Sequence, residues 1–367
     1  YTYSYLPNTD LLSGYTAGDF SRTVAYESAR SLITSVANTF GNTTISQYDY
    51  TNDQLGRRTA ISRSGTAFGD TPVTDSYGYN HRSEVTSARR TLANNPSQEV
   101  RGFSYDYAYD PIGNRISSTE YDSDNRPLSS YTANALNQYQ QRTIPSYAGV
   151  RGSATNTAVV TVNGNPTWRL NDYFYGGDEA DNSTSAIMKE LAIIAAQSNH
   201  YAAATGHVFI AQTPEAFTYD DDGNLTQDGR FIYTWDAENR LIGVTTRDDL
   251  PVAVPRTRVT HQYDHQSRRV ATERESWNGA AWFPIEARTF TYDGWNVISE
   301  VLSPESCVLS TNLYVWGLDI SGSPQGAGGI GGLLSATFDN ATALYTYDAN
   351  GNVAQLIDPT TSDLLAH

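Results

Sequence analysis

Two histidines, His261 and His265, stand four residues apart, the spacing at which two imidazoles on a helix converge on zinc. They flank Tyr263-Asp264 in a stretch that reads as strand and turn, where that spacing does not bring the rings together, so both are read as structural. His200 and His207 lack an acidic or thiol companion at ligand spacing and are read the same way. Asp220-Asp221-Asp222-Gly223-Asn224 resembles half of a calcium loop without its alternate ligand positions or distal bidentate Glu. A turn with solvated carboxylates is the expectation there, and adventitious calcium the alternative. Gly326-Ala327-Gly328-Gly329-Ile330-Gly331 matches the spacing of a dinucleotide loop, but Gly332 to Thr337 has no helical length and leads towards another strand, so a flexible or tightly packed loop is expected. Cys307, the single cysteine, has no nearby histidine and reads as a buried thiol, and no serine sits in a nucleophile elbow. A carboxylate pair at glycosidase separation is decided in space, and nothing in the sequence marks one. On these residues the chain is expected to be no enzyme and to hold no cofactor and no metal.

Composition narrows the partners. With 24 Lys+Arg against 40 Asp+Glu, the net charge of −16 disfavours nucleic acid, because phosphate contact is driven by clustered cations. Tyr supplies 26 of 367 residues within a hydrophobic fraction of only 39%, so a thick dry core is not expected. The longest apolar stretch, Leu191 to Ala196, is far too short for a helical membrane span. One Cys, one Met (Met188) and one Lys (Lys189), with acidic charge and abundant Tyr, Thr, Ser and Asn, point to a bacterial extracellular or cell-surface protein. A chain that begins at Tyr1 reads as a piece of something longer.

The elements that position these residues repeat. Tyr109-Asp110-Pro111-Ile112-Gly113-Asn114-Arg115 recurs as Tyr219-Asp220-Asp221-Asp222-Gly223-Asn224-Leu225 and as Tyr347-Asp348-Ala349-Asn350-Gly351-Asn352-Val353. Looser copies begin at Tyr50 (with Gly56 and Arg57), Tyr79, Tyr131, Tyr233 (with Trp235, Asp236 and Arg240), Tyr263 (with Asp264) and Tyr292 (with Asp293). Each copy reads as a β-hairpin. The Asp accepts from turn amides, Pro111 fixes φ, and Gly113 supplies the positive φ of a tight reversal. Asp222-Gly223 and Asn350-Gly351 suit two-residue type I′ loops. The flanks, such as Phe231 to Trp235, are aromatic and β-branched. Ser185 to Ser198 is the best helical candidate, with a buried strand over Glu190 to Ala196 as the alternative.

These tyrosine-aspartate copies, with Tyr314-Val315-Trp316-Gly317-Leu318-Asp319 and the glycine-rich stretch after it, resemble the bacterial Rhs or YD-repeat family, related to teneurins and to insecticidal toxin-complex shells. The resemblance spans roughly residues 48 to 355. It implies an all-β fold: a YD-repeat β-hairpin spiral forming a wide, hollow curved sheet or shell segment, which in full-length relatives encloses a polypeptide cargo. The family's closing plug and self-cleaving segment are not assignable in this sequence.

Three parts are expected: a first repeat sheet over 1–144, an irregular inserted β module over 145–215, and a second repeat sheet with the glycine-rich loop over 216–367. At about 12 residues per strand and turn, on the order of 30 strands about 4.8 Å apart make a sheet ~145 Å wide, or a roll ~45 Å across, too wide for side chains to fill. The expected function is structural. Open strand edges, with Lys nearly absent, would join copies of the chain or the rest of a larger YD-repeat chain into a shell, tube or filament. The alternatives are a toxin-encapsulating shell fragment and a carbohydrate- or polypeptide-binding surface built on Trp168, Trp235, Trp277, Trp282, Trp295 and Trp316.

Overall fold

The computed structural model describes residues 1–120, 127–304, 309–339 and 341–367. Cys307 therefore lies outside the described residues. Within them the chain is all-β, with 34 strands joined in antiparallel ladders by short turns. It divides into two compact units, one comprising Tyr1–Phe68, Thr260–Glu275 and Trp282–His367, the other Gly69–Val259 and Ser276–Ala281.

In the first unit, Thr2–Tyr5, Leu12–Ala17, Phe20–Tyr26, Ile33–Phe40, Thr43–Asn52 and Arg58–Ser64 pair in chain order. Strands Trp282–Asp293, Asn296–Pro304, Ser310–Trp316, Leu333–Phe338, Ala341–Tyr347, Val353–Ile357 and Leu364–Ala366 make a second meander. Alternation decides what each strand buries. Phe20, Arg22 and Val24 face inward along one strand, and the residues between them are more open. The core joins the two meanders: Tyr15, Phe20, Ile45 and Ala67 from the first pack against Leu334, Leu344 and Ile357 from the second. The Tyr48 hydroxyl accepts from Gln355 at 3.2 Å, and the Tyr50 hydroxyl accepts from the Ala349 amide at 2.9 Å. The idea of one broad wall did not anticipate this direct packing of early strands on late ones.

In the second unit a meander runs from Val73–Tyr79 through Val85–Leu92, Tyr105–Tyr109, Arg115–Glu120, Pro127–Ala133 and Tyr139–Arg142 to Glu215–Ala216. Between its last two members the chain makes two small sheets. One joins Tyr147–Ser153, Tyr173–Glu179 and Trp168–Leu170, and the other joins Asn165–Pro166, Val159–Val162, Ile187–Gln197 and His200–Ile210. The helical candidate is therefore a strand. Ile187–Gln197 pairs residue for residue with His200–Ile210, and it is half-exposed rather than buried. Its β-branched pair Ile193-Ile194 favours the pleated state. A short meander of Thr218–Tyr219, Leu225–Gln227, Phe231–Trp235 and Leu241–Thr246 follows.

Candidate functional site

The repeated residues build one recurring device. Among the described residues nine turns close on themselves over five residues; the one opened by Asp319 is taken up below, and the other eight share one scheme. The first residue donates its amide to the carbonyl of the fifth, and the fourth donates back to the carbonyl of the first, in the turns opened by Asp53, Asn80, Asp110, Asn134, Asp220, Asp236, Asp264 and Asp348. The fourth residue always has positive φ, from 59° at Asn239 to 100° at Gly113. One oxygen of the opening side chain accepts the backbone amides of the third and fifth residues at 2.8 to 3.1 Å. In the six turns opened by Asp, the second oxygen takes the fifth side chain at 2.7 to 3.0 Å, from Arg57, Arg240 and Arg268 or from Asn114, Asn224 and Asn352. Asn80 and Asn134 reverse the polarity, donating to Glu84 at 2.6 Å and to Gln138 at 2.7 Å.

This corrects the expected type I′ loops. Type I′ needs positive φ at both central residues, whereas Asp222 and Asn350 are not in that region and only Gly223 and Gly351 are. The geometry is a type I turn closed by a left-handed residue with a bulge, and the ladder register slips just before the turn in each repeat hairpin where it is seen, as at Ala108/Tyr109 and Thr234/Trp235. The opening Asp wins because its two oxygens satisfy three donors that a tight turn would otherwise leave unpaired.

The electrostatics follow. The Asn224 side chain holds the Asp220 carboxyl below the ordinary range, and the Arg240 backbone amide does the same for Asp236. At Asp53, Asp110 and Asp264 desolvation is the largest influence and pushes upward, but the hydrogen bonds of the turn together outweigh it. The half calcium loop is thus an occupied turn, with both Asp220 oxygens engaged by its own residues.

In four of the copies the aromatic residue performs a second task. Tyr109 donates to the Val85 carbonyl at 2.9 Å, Tyr219 to Tyr139 at 2.9 Å, Trp235 to Leu225 at 2.9 Å and Tyr292 to Arg269 at 2.7 Å. Each acceptor is the first residue after the preceding turn, so every ring tip ties one turn to the one before it. Trp316 does likewise to Val297 at 2.6 Å. We expect Tyr109→Phe to lower stability by about 1 kcal/mol, the worth of one such bond, read as a fall in the urea midpoint. An unchanged midpoint would show that the hydroxyl is idle.

Other sequence-selected residues fall as follows. Asp293 stands at the mouth of a two-residue turn through Gly294 and Trp295, opposite Asn296, and opens no five-residue turn. Tyr263 closes its strand just before the Asp264 turn. Tyr233 donates to Asp228 at 2.6 Å and Tyr314 to Glu300 at 2.6 Å. Gly317 admits a close approach: a Cβ there would sit 1.9 Å from the Tyr3 hydroxyl. Tyr347 donates to Leu333 at 2.7 Å. His261 bonds Thr272 at 3.0 Å, while His265 is exposed within the Asp264 turn. Among the described residues no group of three or more His, Cys, Asp or Glu is arranged to hold a metal. Of the tryptophans, Trp235 and Trp316 are tied by their indole N–H, and Trp295 is 59% exposed.

Sequence reasoning missed Asp53 and Asn134 as turn openers because their tyrosines stand three residues earlier, and Asn80 because an Asn instead of an Asp follows Tyr79. The signal that finds them is Asp or Asn, then a residue tolerant of positive φ three places on, then a partner side chain at the fourth. It also missed Asp319, which is 2% exposed and whose turn through Ser323 closes in the same way. Its carboxylate accepts Ser321 N and Oγ at 2.9 and 2.5 Å, Ala327 N at 2.6 Å and Gly329 N at 3.1 Å. The glycine-rich loop is thereby packed around a buried anion, and strand Leu333–Phe338 follows it instead of a helix. Glu300 is a comparable anchor, lining a cavity of about 350 Å³ with Arg269, Phe290 and Trp316. It accepts from Tyr314, from Asn312 at 3.1 Å and from Arg288 at 2.8 Å.

The class of molecule so defined is an antiparallel all-β protein of repeated, aromatic-tied Asx turns. No family model matches the chain. It is 32% identical over 147 residues to the tRNA3(Ser)-specific nuclease WapA of Bacillus spizizenii, 39% of this chain and 5% of that relative. It is 44% identical over 57 residues to the tRNA nuclease WapA of Bacillus subtilis strain 168, 15% of this chain and 2% of that relative. The chain thus spans about a twentieth or less of the curated relatives it matches. A porin-like protein from Bacteroides uniformis is similar over 92% of the chain and 94% of its own, at 11% identity and a TM-score of 0.23, too slight a likeness to argue from. The expectation of a chain that is no enzyme is corrected by these relatives, which are nucleases by name. That expectation rested on missing nucleophile and metal motifs within this sequence, and such absences do not speak for the long proteins it resembles.

Proposed function

We propose that the chain is a YD-repeat wall segment of a large, exported bacterial protein of the tRNA-nuclease kind, built to join further repeat strands into a shell. The single observation that carries this is the turn device recurring at eight places, with aromatic ties running from copy to copy. Such a device lengthens a sheet by repetition, since each hairpin brings its own closed turn and the hook for its neighbour. The partial match to WapA nucleases supports the same reading. With a net charge of −16 the segment repels a phosphate backbone, so its share in such a protein is to enclose or present a polypeptide cargo, and tRNA is gripped elsewhere. Edges are its means of joining. His200–Ile210 is the last strand of its sheet, largely exposed, and carries no Lys, Arg, Asp, Glu or Pro to block a further strand.

Light scattering and electron microscopy of the purified chain test this. Concentration-dependent rings, tubes or filaments are expected, with Ala203→Lys on that edge reducing them. A dilute, stable monomer, or retention of tRNA on a filter at physiological salt, overturns the reading.

A further inference from the structure

Arg22 is out of place in this fold. It lies on the inward face of Phe20–Tyr26, between Phe20 and Val24, and is 8% exposed. Among the described residues no carboxylate stands within ion-pair distance of it. Its Nη2 donates to the Asp348 carbonyl at a long 3.4 Å, and its Nε is buried without a partner. Directly across the ladder sits Tyr15, whose hydroxyl is also buried without a partner. A buried guanidinium left unpaired is strongly unfavourable, because the water it loses is not replaced.

Arg22 also lines a cavity of about 240 Å³ within the first unit. Leu12, Val24 and Ile33 form its wall on the sheet side, Leu318 and Ile320 its wall on the loop side, and Asp10 also borders it. Asp319 borders it too, but its carboxylate is already taken by the amides and hydroxyl of its own loop.

We propose that this cavity is a binding site for a monocarboxylate on a short aliphatic stem, with Arg22 receiving the carboxylate and the aliphatic walls receiving the stem. The forked N–H donors of Arg22 match a carboxylate's two oxygens. The carboxylate class is favoured over phosphate on two counts. The site offers one cation beside two acidic residues, which disfavours a dianion, and the hydroxyls that also line it, of Tyr26 and Ser321, already donate to Leu12 and Asp319, leaving no further side-chain donors for a phosphate. The site is independent of the wall function proposed above.

The experiment uses the full chain with 4-methylpentanoate as probe, and with 4-methylpentanamide and inorganic phosphate as comparisons, read by calorimetry and thermal shift. Saturable binding of the acid with a raised melting midpoint, no response to the amide, and at least a tenfold loss in Arg22→Met are expected. Arg22→Met keeps the stem volume and removes an unpaired charge, so it is expected to fold. Ile320→Glu, at an exposed position of the loop wall, places a carboxylate beside the site and is also expected to weaken binding at least tenfold; if Arg22→Met does not fold, this variant decides. No binding of the acid, equal binding of the amide, binding of phosphate in its place, or full retention in the folded variants overturns the proposal.

Discussion

Replacing Asp319 by Ala is expected to lower the stability of the first unit by about 3 kcal/mol, the size set by stranding several buried donors at once. The carboxylate takes two amides from the glycine-rich loop, Ala327 N and Gly329 N, together with the amide and hydroxyl of Ser321. Those amides are held by the loop's own backbone and cannot turn to water without opening it. Asp319→Asn is expected to do little better. It keeps one acceptor oxygen, but its NH₂ must face N–H donors where the second oxygen was. Burial pushes the Asp319 carboxyl upward, and the bonds from Ser321, Ala327 and Gly329 together overcome this, leaving it below the ordinary aspartate range. A carboxyl lowered in the fold contributes stability above its unfolded value, about pH 4, and that contribution is lost as pH falls through the folded value. Urea titrations of wild type and both variants at neutral pH and near pH 3 check this. The gap between wild type and Asp319→Ala should be widest at neutral pH and should narrow in acid. A gap that stays constant would mean that the carboxylate's charge is irrelevant to the loop.

The turns were the most legible part of the chain, because their physics is local. An Asp with Gly three places on and Asn or Arg four places on carries its own hydrogen-bond partners, so Tyr109 to Arg115 and Tyr219 to Leu225 could be read as reversals before any strand was paired. The exact turn type was not legible. Asp222-Gly223 satisfies the composition of a two-residue loop, and it is the carboxylate of Asp220, reaching over four residues, that selects the bulged form. Copies at Tyr50 and Tyr131 were found by their tyrosines, yet their turns open three residues later, at Asp53 and Asn134. In both, the opener holds the device together and the tyrosine is displaced along the strand.

Long-range contacts left no such trace. Tyr50 meets Ala349 and Arg58 meets Asn350 at 2.6 Å across nearly the whole length of the chain, and no spacing rule links them. The same holds for Arg22, which as an isolated arginine in an aromatic strand has no motif around it. Its peculiarity exists only once Asp348 and the loop from Leu318 to Ser321 stand over it. Residues whose role is fixed by neighbours two or three apart are readable from sequence, and those fixed by neighbours hundreds apart require the fold.

The largest expected effect tests that long-range packing. Phe20 is 1% exposed and Ile357 fully buried, and they belong to one core cluster although they come from opposite ends of the chain. Phe20→Ala removes most of an aromatic side chain from a packed site and is expected to lower stability by about 4 kcal/mol; Ile357→Ala is expected to lower it by about 3 kcal/mol. Each loss combines lost burial with a void that Tyr15, Ile45 and Leu344 only partly fill. If the early and late meanders share one core, the second truncation enlarges a void the first has already opened. The double variant should then lose less than the sum by at least about 0.5 kcal/mol, the signature of coupled sites. Calorimetric unfolding of the four proteins measures it. Strict additivity would mean that each meander keeps its own core, and the hydrogen bonds from Gln355 to Tyr48 and from Ala349 to Tyr50 would then be surface contacts between separately folding sheets.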